Sequence, residues 1–188
     1  AGLDIFFNDA FSAASLNAGE AFSVLSLAEV NEDVTLVGTY TKGVLRYEND
    51  QLIPYLNRHL GLPSNEVRAI LLASDNSIWY ATAQGVVKQT PDGMLIHFNE
   101  KNGLPAHFSM GLAEDREGRI WIATGIGLAY IQQDVVHTVS FPEHSDAQHA
   151  FSFSVVEDGT WITTDRGLAY FDNATQSLSV VEKSHGLP

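Results

Sequence analysis

The chain has 188 residues, 45% hydrophobic and 18% charged, the profile of a folded protein with enough apolar side chain for a sizeable core. A net charge of −13 repels phosphate backbones and anionic lipid, which argues against nucleic-acid binding and membrane docking. No apolar run approaches the ~20 residues of a membrane-spanning helix, and the absence of cysteine excludes disulfides, thiolate metal sites and cysteine nucleophiles.

Read along the chain, one pattern recurs. Its weakest copy is Leu36-Val37-Gly38-Thr39, then Tyr40-Thr41-Lys42-Gly43-Val44. Ile78-Trp79-Tyr80-Ala81-Thr82 follows, closed by Ala83-Gln84-Gly85-Val86. The third copy is Ile120-Trp121-Ile122-Ala123-Thr124 with Gly125-Ile126-Gly127-Leu128, and the fourth is Trp161-Ile162-Thr163-Thr164 with Asp165-Arg166-Gly167-Leu168. The closing glycines, Gly43, Gly85, Gly127 and Gly167, are spaced 42, 42 and 40 residues apart. A second marker, Gly-Leu-Pro, stands at 61–63, 103–105 and 186–188, its first two copies again 42 apart; Pro142 to Gln148 takes its place in between.

Each period reads as four short strands. Val67 to Leu72 is the first, then a turn at Asp75-Asn76-Ser77, where Ser77 occupies the place of Gly118 in Asp115-Arg116-Glu117-Gly118. The Trp-bearing strand follows, then a tight Thr-x-x-Gly connection, a third strand from Gly85 to Gln89, the turn Pro91-Asp92-Gly93 and a fourth strand from Met94 to Phe98. No sustained 3.6-residue period is present, so no helix of consequence is expected. Repeated four-stranded antiparallel units predict an all-β fold: a β-propeller fragment of about four complete blades, 21–63, 64–105, 106–148 and 149–188, after a partial blade at 1–20. The three tryptophans fall at one blade position and are expected to fill the space between neighbouring sheets.

Gly2-Leu3-Asp4-Ile5-Phe6 matches Gly167 to Phe171, so the chain opens at the third strand of a blade and closes where another would begin. There is no start methionine and no leader pattern, and the repeat favours an internal fragment over a processed chain. Such an arc leaves apolar faces open, which predicts self-association as a dimer or packing on further blades of a parent protein.

Gly-Leu-Pro, Asn65-x-Val67-x-x-Ile70, the acidic turn, Ile-Trp-x-x-Thr and Gly-Leu-x-Tyr together resemble the two-component regulator propeller repeat, the copy from Gly103 to Tyr130 being nearest. The resemblance implies the extracytoplasmic sensor region of a bacterial inner-membrane signalling protein, with a histidine kinase or diguanylate cyclase as a separate cytoplasmic output. It also implies oligosaccharides or other small molecules as ligands. The region itself is read as non-catalytic and cofactor-free. The alternatives are a lyase or hydrolase on the same scaffold, which needs a His/Glu cluster at the channel mouth, and a protein-binding scaffold.

No nucleophile elbow, P-loop, Gly-x-Gly-x-x-Gly or His-Glu-x-x-His occurs. Glu114-Asp115 and Glu157-Asp158 recur at one blade position, which points to turns, since catalytic carboxylate pairs need unequal surroundings. His144 and His149, with Glu143 and Asp146, have ligating side chains, but a polar loop is the reading preferred over a metal site, and none is assigned. The second-to-third-strand turns and the connections between blades gather at one face in the usual propeller plan. Lys42, Gln84, Arg166, Asn65 and His107 are therefore the candidate ligand-binding residues, with Phe108 either a stacking platform for a ring or a packing residue.

Overall fold

The computed structural model describes residues 3–7, 10–14, 22–143 and 145–181. A hairpin comes first, β1 (Leu3–Phe7) with β2 (Ala10–Ala14). Four antiparallel four-stranded meanders follow. The first sheet is β3 (Val24–Asn31), β4 (Val34–Thr39), β5 (Val44–Glu48) and β6 (Gln51–Leu56). The second is β7 (Val67–Leu72), β8 (Ile78–Thr82), β9 (Gly85–Gln89) and β10 (Leu95–Phe98). The third is β11 (Ser109–Glu114), β12 (Ile120–Thr124), β13 (Leu128–Gln132) and β14 (Val135–Val139). The fourth is β15 (Ala150–Val155), β16 (Gly159–Thr164), β17 (Gly167–Asp172) and β18 (Ser177–Val181). This is the blade architecture expected from the repeat.

The first strands form an inner row, β3 beside β7, β7 beside β11 and β11 beside β15. Strand side chains alternate between faces, so each second strand serves two cores. Tyr80 packs among Leu36, Val44 and Val67, while its neighbour Trp79 packs with Ile120, Ile122 and Ile131 of the next sheet. Trp121 likewise meets Phe153 and Phe171 one sheet further on, ring centroids 6.1 and 4.8 Å away. Leu36 takes the tryptophan position in the first sheet and is buried there.

Trp79 and Trp121 are 2% and 0% exposed, but Trp161 is 37% exposed, against the expectation that all three are enclosed. Among the described residues its ring meets that of Tyr170 in its own sheet, tilted by 45° with centroids 4.7 Å apart, and no neighbouring sheet lies against it.

The first turn of the second sheet also differs from the expected register. The Ala73 N–H donates to the Ser77 carbonyl as the Asp115 N–H donates to that of Arg119. Ser77 is therefore the counterpart of Arg119, and the left-handed residue matching Gly118 (φ 72°) is Asn76 (φ 62°). Asparagine tolerates that region through its short polar side chain. Ala73 brings no carboxylate, so the indole N–H of Trp79 donates to Ser77 Oγ (2.9 Å), where that of Trp121 donates to Asp115 Oδ2 (2.8 Å).

These turns also join the sheets at the edge away from the strand connections. Glu114 accepts from the N–H and hydroxyl of Ser74, at 2.7 and 2.6 Å. Arg119, 1% exposed, pairs through Nε with Asp115 Oδ2 at 2.6 Å and donates to Gln176 Oε1 (3.1 Å) and Asn173 Oδ1 (2.5 Å) of the fourth sheet. The recurrent acids at 114 and 115 are thus structural.

Two short 3₁₀ turns were not expected. Arg58–Leu60 and Glu100–Asn102 each follow a capping asparagine, Asn57 or Asn99, and end at a left-handed glycine, Gly61 (φ 111°) or Gly103 (φ 102°). The marker Gly-Leu-Pro is the exit of this turn, and Leu62 and Leu104 are driven into the inter-sheet cores. The marker copy at 186–188 lies outside the described residues.

Candidate functional site

Strand order alone places the second-to-third-strand turns and the inter-sheet connections along one edge of every sheet. A repeated polar device shapes that edge. The hydroxyl of the threonine ending each second strand donates to the carbonyl of the closing glycine: Thr39 to Gly43 and Thr82 to Gly85 at 2.8 Å, Thr124 to Gly127 at 3.0 Å, Thr164 to Gly167 at 3.1 Å. Three of these hydroxyls also accept a turn N–H, from Lys42 (2.9 Å), Gln84 (3.1 Å) and Arg166 (3.2 Å). Short hydroxyl-bearing side chains suit this role because they bond the backbone locally.

Main-chain bonds then join neighbouring sheets along the same edge. The two residues leading into each inner strand offer their carbonyls to different sheets. Gly43 of the first sheet donates to Asn65, Gly85 of the second to His107, and Gly127 of the third to Gln148, at 2.9, 2.5 and 2.7 Å. The following carbonyl accepts from within the sheet being entered: Ala83 to Glu66, Gly125 to Phe108, and Asp165 to His149, at 3.2, 2.9 and 3.2 Å. Gly85 makes the geometry plain: its φ is 108°, and a β-carbon there would lie 2.4 Å from the Phe98 carbonyl oxygen.

All five candidate residues lie on this edge. Gln84, Arg166 and His107 are exposed, whereas Lys42 and Asn65 are half-buried. Asn65 is committed to the fold, its side-chain oxygen accepting the Arg58 N–H at 2.8 Å. His107 Nδ1 stands 3.5 Å from Glu100 Oε1. Arg166 Nε is 4.0 Å from Asp165 Oδ2. Phe108 is covered on one face by the Arg68 guanidinium, 4.4 Å from its ring centroid, and Arg68 itself pairs with Glu66.

His149 is held by Asp165, with Nδ1 3.3 Å from Oδ2; its counterpart in the weighed metal pair, His144, lies outside the described residues. Desolvation alone would raise the Asp165 carboxyl, but the amides of Gln148 and His149, both 3.0 Å from Oδ1, and the His149 ring outweigh it and hold it at about 2.

One set of residues on this edge escapes the sequence reading. Every inner strand carries a β-bulge at its second residue: Leu25, Arg68, Met110 and Phe151. A bulge turns a side chain out of the strand alternation and recurs beside binding sites. The only trace in the sequence is that each lies three residues past the candidate position, as Arg68 does past Asn65 and Met110 past His107, and neither identity nor alternation marks it.

Residues 61–84 and 103–125 match the family model for the two component regulator propeller. The resemblance drawn from the repeat therefore holds at those two copies. No curated protein matches the chain by sequence. Among solved structures, the extracellular domain of a hybrid two component system from B. thetaiotaomicron aligns over 94% of this chain and 25% of its own, with 23% identity and a TM-score of 0.81. A second such domain from that organism aligns over 96% and 25%, with 20% identity and a TM-score of 0.80. This chain thus spans about a quarter of their length. A catalytically inactive virginiamycin B lyase from Staphylococcus aureus, solved with quinupristin, aligns over 88% of this chain and 57% of its own, with 12% identity and a TM-score of 0.70. At these identities the likeness establishes the propeller fold.

Proposed function

We propose that the chain is a ligand-sensing propeller region of a bacterial membrane signalling protein, lying outside the cytoplasm and performing no catalysis itself. The observation that carries this is the division of labour on the connection edge. Threonine, glycine and main-chain carbonyls hold four turns in one frame, while the tips differ: Lys42, Gln84, Ile126 and Arg166. A fixed frame with non-repeating tips lets each sheet contribute a different group to one small molecule. The hybrid two component neighbours support the signalling context, and neutral oligosaccharides are the ligand class to test first.

Calorimetric titration with a panel of such oligosaccharides tests the reading, using the parent and a Gln84→Ala/Arg166→Ala double variant. Saturable heat that the double variant weakens at least tenfold supports it. Binding that ignores both residues, or turnover of the sugar, refutes it. The exposed Trp161 face further supports self-association, since the equivalent faces of the three other sheets are covered. A monodisperse monomer by light scattering at high concentration would sink that part.

A further inference from the structure

The three connections between sheets have one length. Residues 57–66, 99–108 and 140–149 each bridge the last strand of one sheet and the first of the next. In the first two, the leucine after the left-handed glycine fills a seat between the outer strands. Leu62 packs with Leu56 and Leu95, and Leu104 with Phe98, Ile96 and Val136. The glycines press on the same wall: a β-carbon on Gly61 would lie 2.7 Å from Leu95 Cδ1, and one on Gly103 3.7 Å from Val136 Cβ. Strand register makes Leu178 the counterpart of Leu95 and Val136, because it pairs with Phe171 as they pair with Gln89 and Ile131.

The third connection keeps the length and loses the plug. Counting from its start, Ser145 stands where Leu62 and Leu104 stand, and no 3₁₀ turn forms among its described residues. Phe141 packs on the margin of the core. A solvent-open groove of about 700 Å³ remains at the seat, walled by Tyr130, His137 and Val139 on one side and Phe171, Gln176 and Leu178 on the other. The His137 ring stacks on Tyr130 at 4.8 Å, and among the described residues no carboxylate or ammonium group lines the groove.

From this we infer that the groove between the third and fourth sheets is a docking seat for a partner polypeptide, which inserts a leucine-bearing turn of the kind this chain supplies to its other two seats. The occupant is defined by those two filled copies: an aliphatic side chain carried on a tight turn, its amide closed on an asparagine carbonyl as Leu62 and Leu104 close on Asn57 and Asn99. Basic flanks suit it, given the net charge of −13. The seat is walled by third- and fourth-strand residues and by Gln176 of the turn that joins two such strands, separate from the second-to-third-strand turn tips, and does not depend on the sensing proposal.

The test uses an end-blocked peptide with the sequence of residues 99–106, titrated into the isotope-labelled protein and followed by nuclear magnetic resonance. Saturable shifts at His137, Phe171 and Leu178 are expected. Exchanging the peptide's leucine for alanine should weaken binding about tenfold or more, the consequence of removing most of a buried aliphatic side chain. Ser145→Leu in the protein should fill the seat from within, raise the thermal midpoint and abolish peptide binding. Absent or unsaturated shifts, equal binding of the alanine peptide, or undiminished binding to a folded Ser145→Leu variant would each overturn the inference. So would a small molecule displacing the peptide from a site that Ser145→Leu leaves open.

Discussion

Replacing Arg119 by methionine tests how the third and fourth sheets are held together. Methionine keeps the apolar stem against the rings of Trp121, Tyr130 and Phe171, whose centroids lie 5.6, 5.3 and 5.2 Å from the guanidinium carbon. What disappears is the charge, together with the donors to Asn173 and Gln176. Asp115 stays buried without its cationic partner, and removing one partner of a buried pair typically costs about 3–5 kcal/mol. The carboxylate still accepts from the amides of Glu117 and Arg119 and from the Trp121 indole, which places the loss near the lower end, about 3 kcal/mol. Urea unfolding followed by tryptophan fluorescence and circular dichroism reads this directly. Asp115→Asn combined with Arg119→Met removes both charges and should recover about 1–2 kcal/mol relative to the sum of the single variants. An Arg119→Met variant within about 0.5 kcal/mol of the parent, or a double variant as poor as the sum, refutes the claim that this pair ties the sheets.

Three further outcomes follow from the packing. Trp121→Ala should cost about 3–5 kcal/mol, and Trp161→Ala about 1 kcal/mol, because only the first ring is enclosed by a neighbouring sheet; equal losses in urea would contradict the open face. Gly85→Ala forces a β-carbon onto the Phe98 carbonyl oxygen and should abolish two-state unfolding or lower the midpoint by several degrees, whereas Gly93→Ala, with φ 88° but open space around it, should cost only about 1 kcal/mol. The depressed Asp165 carboxyl contributes stability that is complete above its unfolded value of about 3.9 and is lost as pH falls through its folded value of about 2. Asp165→Ala should therefore flatten the acid limb between those values and speed hydrogen exchange at the Gln148 and His149 amides; an unchanged acid limb would rule the contribution out.

Much of the architecture was legible because period and composition act locally. Thr-x-x-Gly is a turn that a hydroxyl and a left-handed glycine build by themselves, so its three copies, with the one-residue-longer Thr39 to Gly43, announce four sheets. What escaped depends on non-local partners. Ser77 looked like the turn residue because the second turn is shorter in polar residues than in backbone, and only the Ala73–Ser77 pairing reveals that Asn76 carries the positive φ. Trp161 has the same sequence signature as Trp121, and exposure is decided by a sheet elsewhere. Asn57 and Asn99, each four residues before a glycine, were a readable signal for the 3₁₀ turns. The bulges at Leu25, Arg68, Met110 and Phe151 left no such mark. Of the five candidate tips, all reach one edge because topology alone requires it. Which groups are spoken for, as Asn65 is by Arg58, was settled by contacts that spacing does not encode.

Along the connection edge the seam between sheets is built from amides and carbonyls, groups that nearly every residue carries whatever its side chain. His107 and Gln148 enter it through their carbonyls, so their side chains can be exchanged without altering the wedge between neighbouring sheets, whereas Asn65 also fixes the Arg58 amide. Repeats built this way can therefore change the residues on their connection edge while their angular pitch stays constant, and relatives can diverge in surface chemistry long before they diverge in shape.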